Sequence, residues 1–404
     1  MKEGFMKKRR RKKKRLWVMA AVIFCVAVVF GYRMGIWRTA AQKMEETVRP
    51  VPFQKVEIEE ESLGMKYYYG QLSDEGKKIY QEILQGLLDY KEEIYIHTAG
   101  PEEANEVFLF VMNDHPEIFW CDGRTTATSY EGGAVPYTVL EPAYSYDEEE
   151  KEKRASVIEA AAGEYLSGIG ADATDYEKIL YVYDSLVNQV EYDQTASDNQ
   201  NIYSVFAGKR SVCAGYAKAT QYLLERLGVF CTYVTGTAWN GQAHAWNLVS
   251  CDGDYYYVDT TWGDPVFQAE EGGEASILGH ISYDYMCCSE EQLLKTHTPD
   301  ATAALPECTK MDANYYVVNG MYYETYDPSQ ILESMNQVIS EKGNPVVVKF
   351  AEEQVYEEAR NDILERVVKQ AARNLADWYG LSQVNYQYLD EEKLNKITIY
   401  WEYS

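Results

Sequence analysis

Apolar residues recur along this chain at two spacings, and each spacing predicts a kind of element. Positions three and four residues apart are typical of the buried face of a helix. This spacing predicts helices that begin at Ser73, cover 103–113, begin at Asp147, cover 174–190 and begin at Cys213. Alternating positions are typical of strands, and they predict strands over 117–121, 125–130, 134–140, 229–237, 243–251 and 254–260. Helices and strands that occupy separate runs favour an α+β protein.

The end of the chain repeats this mixture on a smaller scale. The pattern predicts a strand over 315–323, a helix over 329–339, a strand over 345–350, a helix over 352–378 and strands over 383–388 and 396–401. Residues 310–404 are therefore predicted to form a small α+β domain. No motif in it suggests a reaction.

The helix that begins at Cys213 carries a candidate nucleophile. Ser211 is its predicted N-cap and Gly228 its predicted stop, so the thiol falls in the first turn. The positive end of the helix dipole and the N–H groups without helical partners favour a thiolate there. Gly215 has no side chain, which would let a substrate or another strand approach the start of the helix.

Two of the later strands form a predicted hairpin around Asp252-Gly253. A two-residue turn there pairs residues whose numbers sum to 505, so that Trp246 faces Asp259. His244 then shares a face with Trp246. Asp259 becomes the diagonal neighbour of His244, at a Cβ separation of roughly 6 to 8 Å. The spacing alone therefore predicts an imidazole with a carboxylate beside it, and only the approach of Cys213 depends on tertiary packing.

Each of these residues has a structural interpretation when it is taken alone. A single cysteine is usually a small core residue, and a single histidine is usually a satisfied polar one. Together, a cysteine at a helix start followed by a histidine and an aspartate on one hairpin face match the nucleophile, base and orienting acid of cysteine hydrolases. The combination favours catalysis by Cys213, His244 and Asp259.

Three motifs carry a resemblance to a known family. Val-Cys-Ala-Gly-Tyr-Ala from Val212, His-Ala-Trp-Asn from His244 and Asp-Thr-Thr-Trp-Gly-Asp-Pro from Asp259 resemble the catalytic motifs of the transglutaminase-like superfamily, in particular its bacterial papain-like branch. The resemblance covers 172–297 well and 67–146 loosely. It implies a papain-like core in which Cys213 is the nucleophile, His244 the general base and acid, and Asp259 the residue that holds the imidazole. The family commonly has a second acidic residue where this chain has Gly263.

The resemblance also sets the predicted domain boundaries and secondary site residues. It implies a catalytic domain over 171–300, preceded by an N-terminal extension over 66–170. By its position before the cysteine, Tyr203 is a candidate for binding the oxyanion, although a core role is as consistent with its sequence. Trp246 and Trp262 flank the catalytic face and are candidate walls of a substrate cleft, or plain core aromatics.

Charge is distributed unevenly, which bears on location. The 404 residues carry a net charge of −26, yet residues 1–15 contain ten Lys or Arg against one Glu. An uncharged apolar run follows, so residues 16–37 are predicted to span a membrane as an uncleaved anchor, with a cleaved signal peptide as the alternative. The prediction is a single-pass cell-membrane protein with a cytoplasmic tail over 1–15, a linker over 38–65 and an extracellular catalytic domain. A nucleic-acid-binding tail is the weaker interpretation, and no nucleic-acid partner is predicted.

The remaining cysteines and histidines do not match the spacing of a metal site. We therefore expect no metal and no cofactor. The predicted function is a thiol enzyme that acts on amide bonds of protein, peptide or cell-wall peptide substrates through a thioester, by hydrolysis or by acyl transfer. The alternative is a non-catalytic surface module that uses the same fold for binding. Residues shared by peptidases and transglutaminases do not separate those two activities.

Overall fold

The computed structural model describes residues 51–98, 100–131, 135–264, 280–301 and 304–403. Its α-helices are α1 (Tyr67–Gly70), α2 (Asp74–Leu88), α3 (Pro101–Asp114), α4 (Glu148–Leu166), α5 (Asp175–Gln189), α6 (Cys213–Arg226), α7 (Glu290–Leu293), α8 (Tyr315–Val318), α9 (Pro328–Ser340), α10 (Glu353–Asp362) and α11 (Val368–Tyr379). Its strands are β1 (Ile94–Ile96), β2 (Cys121–Tyr130), β3 (Tyr137–Tyr144), β4 (Glu191–Tyr192), β5 (Arg210–Ser211), β6 (Cys231–Ala238), β7 (Ala243–Cys251), β8 (Asp254–Val258), β9 (Met286–Cys288), β10 (His297–Pro299), β11 (Tyr322–Tyr323), β12 (Val346–Phe350), β13 (Tyr386–Glu391) and β14 (Lys396–Trp401). The predicted α+β fold class is confirmed.

The N-terminal part combines helices with a three-stranded antiparallel sheet in the order β1-β3-β2. Local chemistry explains where its helices begin. The Ser73 hydroxyl accepts a hydrogen bond from the Gly76 N–H at the start of α2, and the Asp147 carboxylate accepts one from the Glu150 N–H at the start of α4. The strand predicted over 117–121 is wrong, because residues 116–120 contain turns and no strand, and only Cys121 enters β2.

The centre of the molecule is a five-stranded sheet in the order β10-β6-β7-β8-β9, with α6 packed against β6 and β7. The hairpin of β7 and β8 has the predicted register: Cys251 pairs with Asp254, and the ladder continues to Asn247 and Val258. Asp252 and Gly253 have φ of 51° and 89°, the conformation that a tight two-residue turn requires. The ladder ends one pair before Asp259, whose N–H instead bonds the Tyr285 carbonyl at 3.0 Å.

The C-terminal part has its own four-stranded sheet in the order β11-β12-β14-β13, covered by α9, α10 and α11. The strand predicted over 315–323 is wrong at its start. The Asn314 side chain accepts a hydrogen bond from the Tyr316 N–H and starts α8, and Gly320, with φ of 68°, follows its end. The helix predicted over 352–378 is present as α10 and α11, joined by a π-helical turn at Ile363–Val367.

The C-terminal part has an apolar core of its own, separate from the core of the preceding parts. One contains side chains between Leu63 and Ala313, and the other contains side chains between Tyr323 and Trp401. A buried ion cluster joins the two parts: Lys349 donates to Asp284 Oδ1 at 2.9 Å, and Lys396 pairs with the other oxygen of the same carboxylate. The exact domain boundaries drawn from the sequence stay predictions.

The predicted cell-membrane location is corrected. Within the ranges that the structure describes, no helix is long and apolar enough to cross a bilayer. The predicted tail over 1–15 and span over 16–37 lie outside the described residues, as does the linker up to residue 50.

Candidate active site

Cys213 is the first residue of α6, as predicted, but its helix is not capped in the predicted way. The N-cap is Val212, which makes no side-chain cap bond. Ser211 lies in β5, and its hydroxyl bonds the Ser204 hydroxyl at 2.7 Å. A Cβ on Gly215 would lie 1.9 Å from Ser211 Oγ. The close approach that Gly215 permits is therefore made by Ser211, and it holds the chain leading into Cys213 against the first turn.

His244 and Asp259 meet as the hairpin register predicts. His244 lies on β7 and Asp259 directly follows β8. Their side chains are 4% and 1% exposed, and His244 Nε2 lies 2.7 Å from Asp259 Oδ2. An ionised carboxylate only accepts hydrogen bonds, so Nε2 must be the donor. The other nitrogen, Nδ1, takes no part in this bond.

The electrostatics of this pair favour a charged imidazole. Burial acts against the charge, but Asp259 and a hydrogen bond with the Cys213 side chain raise the pKa of His244 to about 10. For Asp259, burial again opposes ionisation, but the charge of His244 and the hydrogen bonds from His244 and His297 hold the pKa of the carboxyl well below its usual range. Both shifts describe an imidazolium beside a carboxylate with a thiol at hand.

Two buried side-chain hydrogen bonds hold α6 against the hairpin of β7 and β8. Asn247 Nδ2, three residues after His244, donates to the Ala217 carbonyl in α6 at 2.9 Å. The hydroxyls of Thr220 and Thr260 are 3.1 Å apart and join α6 to the residue after Asp259. These buried contacts set the tertiary approach that the sequence alone does not give.

The structure adds a residue that the sequence interpretation missed. His297 Nε2 lies 3.1 Å from Asp259 Oδ2, the oxygen that also accepts from His244. The side chain of His297 is fully buried. Its strand, β10, pairs with β6 across a long separation in sequence. A histidine in Thr-His-Thr-Pro has no local signal that would reveal this contact.

The structure places the three further site residues, Trp246, Trp262 and Tyr203, in different surroundings. Trp246 is fully buried, and its ring lies 5.9 Å from that of His244; it supports the imidazole from behind and does not line an open cleft. Trp262 is half-buried and meets His244 edge-on at 6.3 Å. The ring of Tyr203 lies 4.2 Å from the Arg154 guanidinium. The oxyanion role of Tyr203 and the cleft role of Trp262 stay predictions.

His244, Asp259 and His297 also form a group whose potential ligand atoms lie within 4.8 Å of one another. Two ligands of a tetrahedral zinc at 2.0–2.1 Å would be separated by roughly 3.3 Å. The 2.7 Å between His244 and Asp259 is shorter and is the length of a charge-assisted hydrogen bond. The distances thus fit shared protons better than a shared metal.

Cys213 differs from the other described cysteines. It is half-buried, whereas the rest are buried. Burial raises the pKa of Cys121 to about 11 and the pKa of Cys251 and of Cys308 to about 12. Burial also raises the pKa values of Cys231, Cys287 and Cys288 well above the ordinary range. Among the described residues, Cys213 is therefore the cysteine best placed to react.

Cys213 at the start of α6 and His244 on the adjoining antiparallel sheet form a site of the kind that thiol enzymes use. Residues 164–260 match the family described as the transglutaminase-like superfamily. The chain therefore contains a transglutaminase-like domain.

Individual relatives match over short stretches. Kyphoscoliosis peptidase of Homo sapiens is 28% identical over 128 residues, which are 27% of this chain and 19% of that protein. Its Mus musculus counterpart is 26% identical over 123 residues, 26% of this chain and again 19% of the relative. The matched stretch is thus a minor part of the length of each relative.

Solved structures resemble the chain more distantly. A crystal structure of a TGase has 11% identity and a TM-score of 0.26, and the match covers 42% of this chain and 50% of that one. A candidate cysteine protease from Cytophaga hutchinsonii has 16% identity and a TM-score of 0.23, with coverage of 39% and 64%.

Proposed function

We propose that this protein is a thiol enzyme that cleaves or transfers the acyl group of an amide bond in a protein or peptide. Cys213 acts as the nucleophile, His244 as general acid and base, and Asp259 orients the imidazole. The observation that carries the proposal is the buried Asp259–His244 hydrogen bond of 2.7 Å together with the interaction of the same imidazole with Cys213.

In the proposed reaction, the Cys213 thiolate attacks the amide carbonyl carbon while His244 is an imidazolium. Collapse of the tetrahedral intermediate breaks the C–N bond, and His244 gives its proton to the leaving amine. The product is a thioester on Cys213. Water or a second amine then attacks the thioester and His244 accepts the proton of that nucleophile. The C–S bond breaks and releases the Cys213 thiolate beside the imidazolium, which restores the starting pair. The carboxylate of Asp259 stays ionised and stabilises the imidazolium in both steps.

Labelling tests the proposal directly. The protein is incubated with a peptide-based electrophile or a glutamine mimic, and the adduct is located by mass spectrometry of proteolytic fragments. We expect an acyl or alkyl adduct on Cys213 and none in Cys213→Ala. Cys231, which is buried on the neighbouring strand, is the matched control cysteine.

The same experiment addresses the alternative of a non-catalytic binding module on this fold. A folded protein that forms no adduct at Cys213 and releases no amine from a peptide library would contradict the enzyme and favour that module. Release of amine with water alone would indicate a hydrolase, whereas release that depends on an added primary amine would indicate a transferase.

A further inference from the structure

Two imidazoles share one carboxylate oxygen in this site. His244 Nε2 lies 2.7 Å and His297 Nε2 lies 3.1 Å from Asp259 Oδ2. The second oxygen, Oδ1, accepts from the backbone N–H groups of Thr261 at 2.9 Å and Trp262 at 3.2 Å. An ionised carboxylate has about four lone-pair sites. Every acceptor site of Asp259 is thus occupied, and one of its four donors is His297.

The surroundings of His297 select the tautomer that can donate. A neutral imidazole carries one proton, so a donating Nε2 requires an accepting Nδ1. Thr296 Oγ1 lies 2.8 Å from that Nδ1, and the Tyr285 hydroxyl lies 2.5 Å from Thr296 Oγ1. Burial lowers the pKa of His297, although Asp259 raises it, which favours the neutral form. Because the ionised Asp259 carboxylate only accepts, Nε2 is the donor to it, and the Nδ1 of a neutral His297 then accepts from the Thr296 hydroxyl.

The fold makes room for this contact. In the pairing of β10 with β6, His297 lies opposite Ala238 and Pro299 opposite Gly236. A Cβ on Gly236 would lie 2.2 Å from the Thr298 carbonyl oxygen. His297 itself lies outside the region 164–260 that matches the family.

We propose that His297 is a positioning residue: its Nε2–H holds Asp259 Oδ2 in line with His244, and the Tyr285–Thr296 hydroxyl pair sets the tautomer that does so. This inference rests on the proposed function. His297 touches neither substrate nor thiol in this role; it acts through Asp259, which in turn fixes the imidazole that serves Cys213.

The test compares His297→Leu, which removes the donor, with His297→Gln, whose amide N–H can replace Nε2–H. We expect His297→Leu to lower kcat about 10- to 100-fold, the range found for residues that orient metal-ligating side chains by a hydrogen bond, with KM unchanged. His297→Gln should restore most of the loss. Leu and Gln variants that are equally impaired, with melting temperatures equal to wild type, would overturn the proposal.

A second measurement needs no substrate and so separates this inference from the proposed function. The rate of Cys213 alkylation by iodoacetamide is followed against pH, and its acid-side midpoint reports when thiolate forms beside His244. A less well-held carboxylate stabilises the imidazolium less, so His297→Leu should move this midpoint upward by about one pH unit. A shifted midpoint in a protein without amidase activity would refute the proposed function and retain the positioning role. An unshifted midpoint in an active enzyme would refute the positioning role and retain the proposed function.

If His297→Leu does not fold, Thr296 provides the equivalent test. Thr296→Val removes the hydroxyl that donates to Nδ1, and Thr296→Ser keeps it. We expect Thr296→Val to lower kcat and to raise the pH midpoint of Cys213 alkylation, both by less than His297→Leu does. Thr296→Ser should behave as wild type. Identical behaviour of the two variants would overturn the proposal.

Discussion

At the scale of single residues, the carboxylate of Asp259 decides which form of His244 is present. Its Oδ2 accepts from Nε2 and its Oδ1 is held by backbone N–H groups. Nε2 is thereby committed to Asp259, and in the proposed reaction Nδ1 serves Cys213. The consequence is that small chemical changes at Asp259, with no change in size, should have large effects on the proposed reaction.

Asp259→Asn tests this expectation. The amide oxygen can still accept from the Thr261 N–H, but the NH₂ group would then face His244 Nε2 and force the proton to Nδ1, where it opposes the thiol. We expect kcat to fall about 10³- to 10⁴-fold, as for comparable substitutions in catalytic triads. Steady-state kinetics on a substrate found by labelling gives the measurement. An Asn variant as active as wild type would show that another group orients His244.

Protonation of His244 should also make the stability of the folded protein depend on pH. Because the pKa of His244 is raised from its ordinary 6.5 to about 10 in the folded protein, its contribution is fully present below about pH 6.5 and is lost as the pH rises through about 10. We expect the difference in urea midpoint between wild type and His244→Gln to shrink between pH 7 and 10.5. A difference that stays constant over this range would indicate a neutral histidine.

Thiol selectivity follows from the burial of the other cysteines. Limited iodoacetamide at pH 6 should modify Cys213 before the buried cysteines, whose pKa values are raised by burial, for example to about 12 for Cys251. Peptide mass spectrometry after timed quenching gives the order of modification. Earlier modification of Cys251 or Cys308 would show that the site is assigned to the wrong cysteine. His244→Ala should slow the reaction at Cys213 alone.

At the scale of elements, the sequence predicted those features that depend on residues close together in the chain. The register of β7 and β8 follows from the turn at Asp252-Gly253, so it could be derived by counting. The start of α8 could not be derived from strand-like apolar spacing, because one cap bond from Asn314 decides it. The contact of His297 with Asp259 depends on the pairing of β10 with β6, and no short-range pattern encodes a pairing between distant segments.

The pairing of β10 with β6 depends on the absence of a side chain at Gly236. In Gly236→Ala the new Cβ would lie 2.2 Å from the Thr298 carbonyl oxygen, so β10 must shift and carry His297 with it. We expect a loss of about 1–3 kcal/mol in the free energy of unfolding, with lower kcat. Gly163→Ala in α4 is the matched control: no atom lies within 4 Å of its Cβ, and we expect a gain of about 0.5–1 kcal/mol there. Equal stability of the two variants would contradict this account of β10.

At the scale of the whole molecule, Asp284 connects the part that carries the candidate site with the C-terminal part. It is 1% exposed and lies between the ammonium groups of Lys349 and Lys396. Burial opposes its ionisation, but the two cations hold the pKa of the carboxyl well below its usual range. Lys349 also donates to the Leu394 carbonyl at 2.9 Å, and Tyr285, the residue after Asp284, begins the hydroxyl pair beside His297. The C-terminal part is thus joined to the segment that supports the site.

Asp284→Asn should therefore affect both stability and the site. The substitution leaves Lys349 without its buried counterion and Lys396 with Glu391 alone. Removing one partner of a buried ion pair costs about 3–5 kcal/mol. Denaturation in urea gives the free energy of unfolding. The control is Glu57→Gln, which breaks the Lys55 pair whose side chains are 84% and 66% exposed and should cost at most about 1 kcal/mol. Because Tyr285 adjoins Asp284, the folded fraction of Asp284→Asn should also show a raised midpoint for Cys213 alkylation. A variant with wild-type stability and an unshifted midpoint would mean that the C-terminal part and the site are independent of each other.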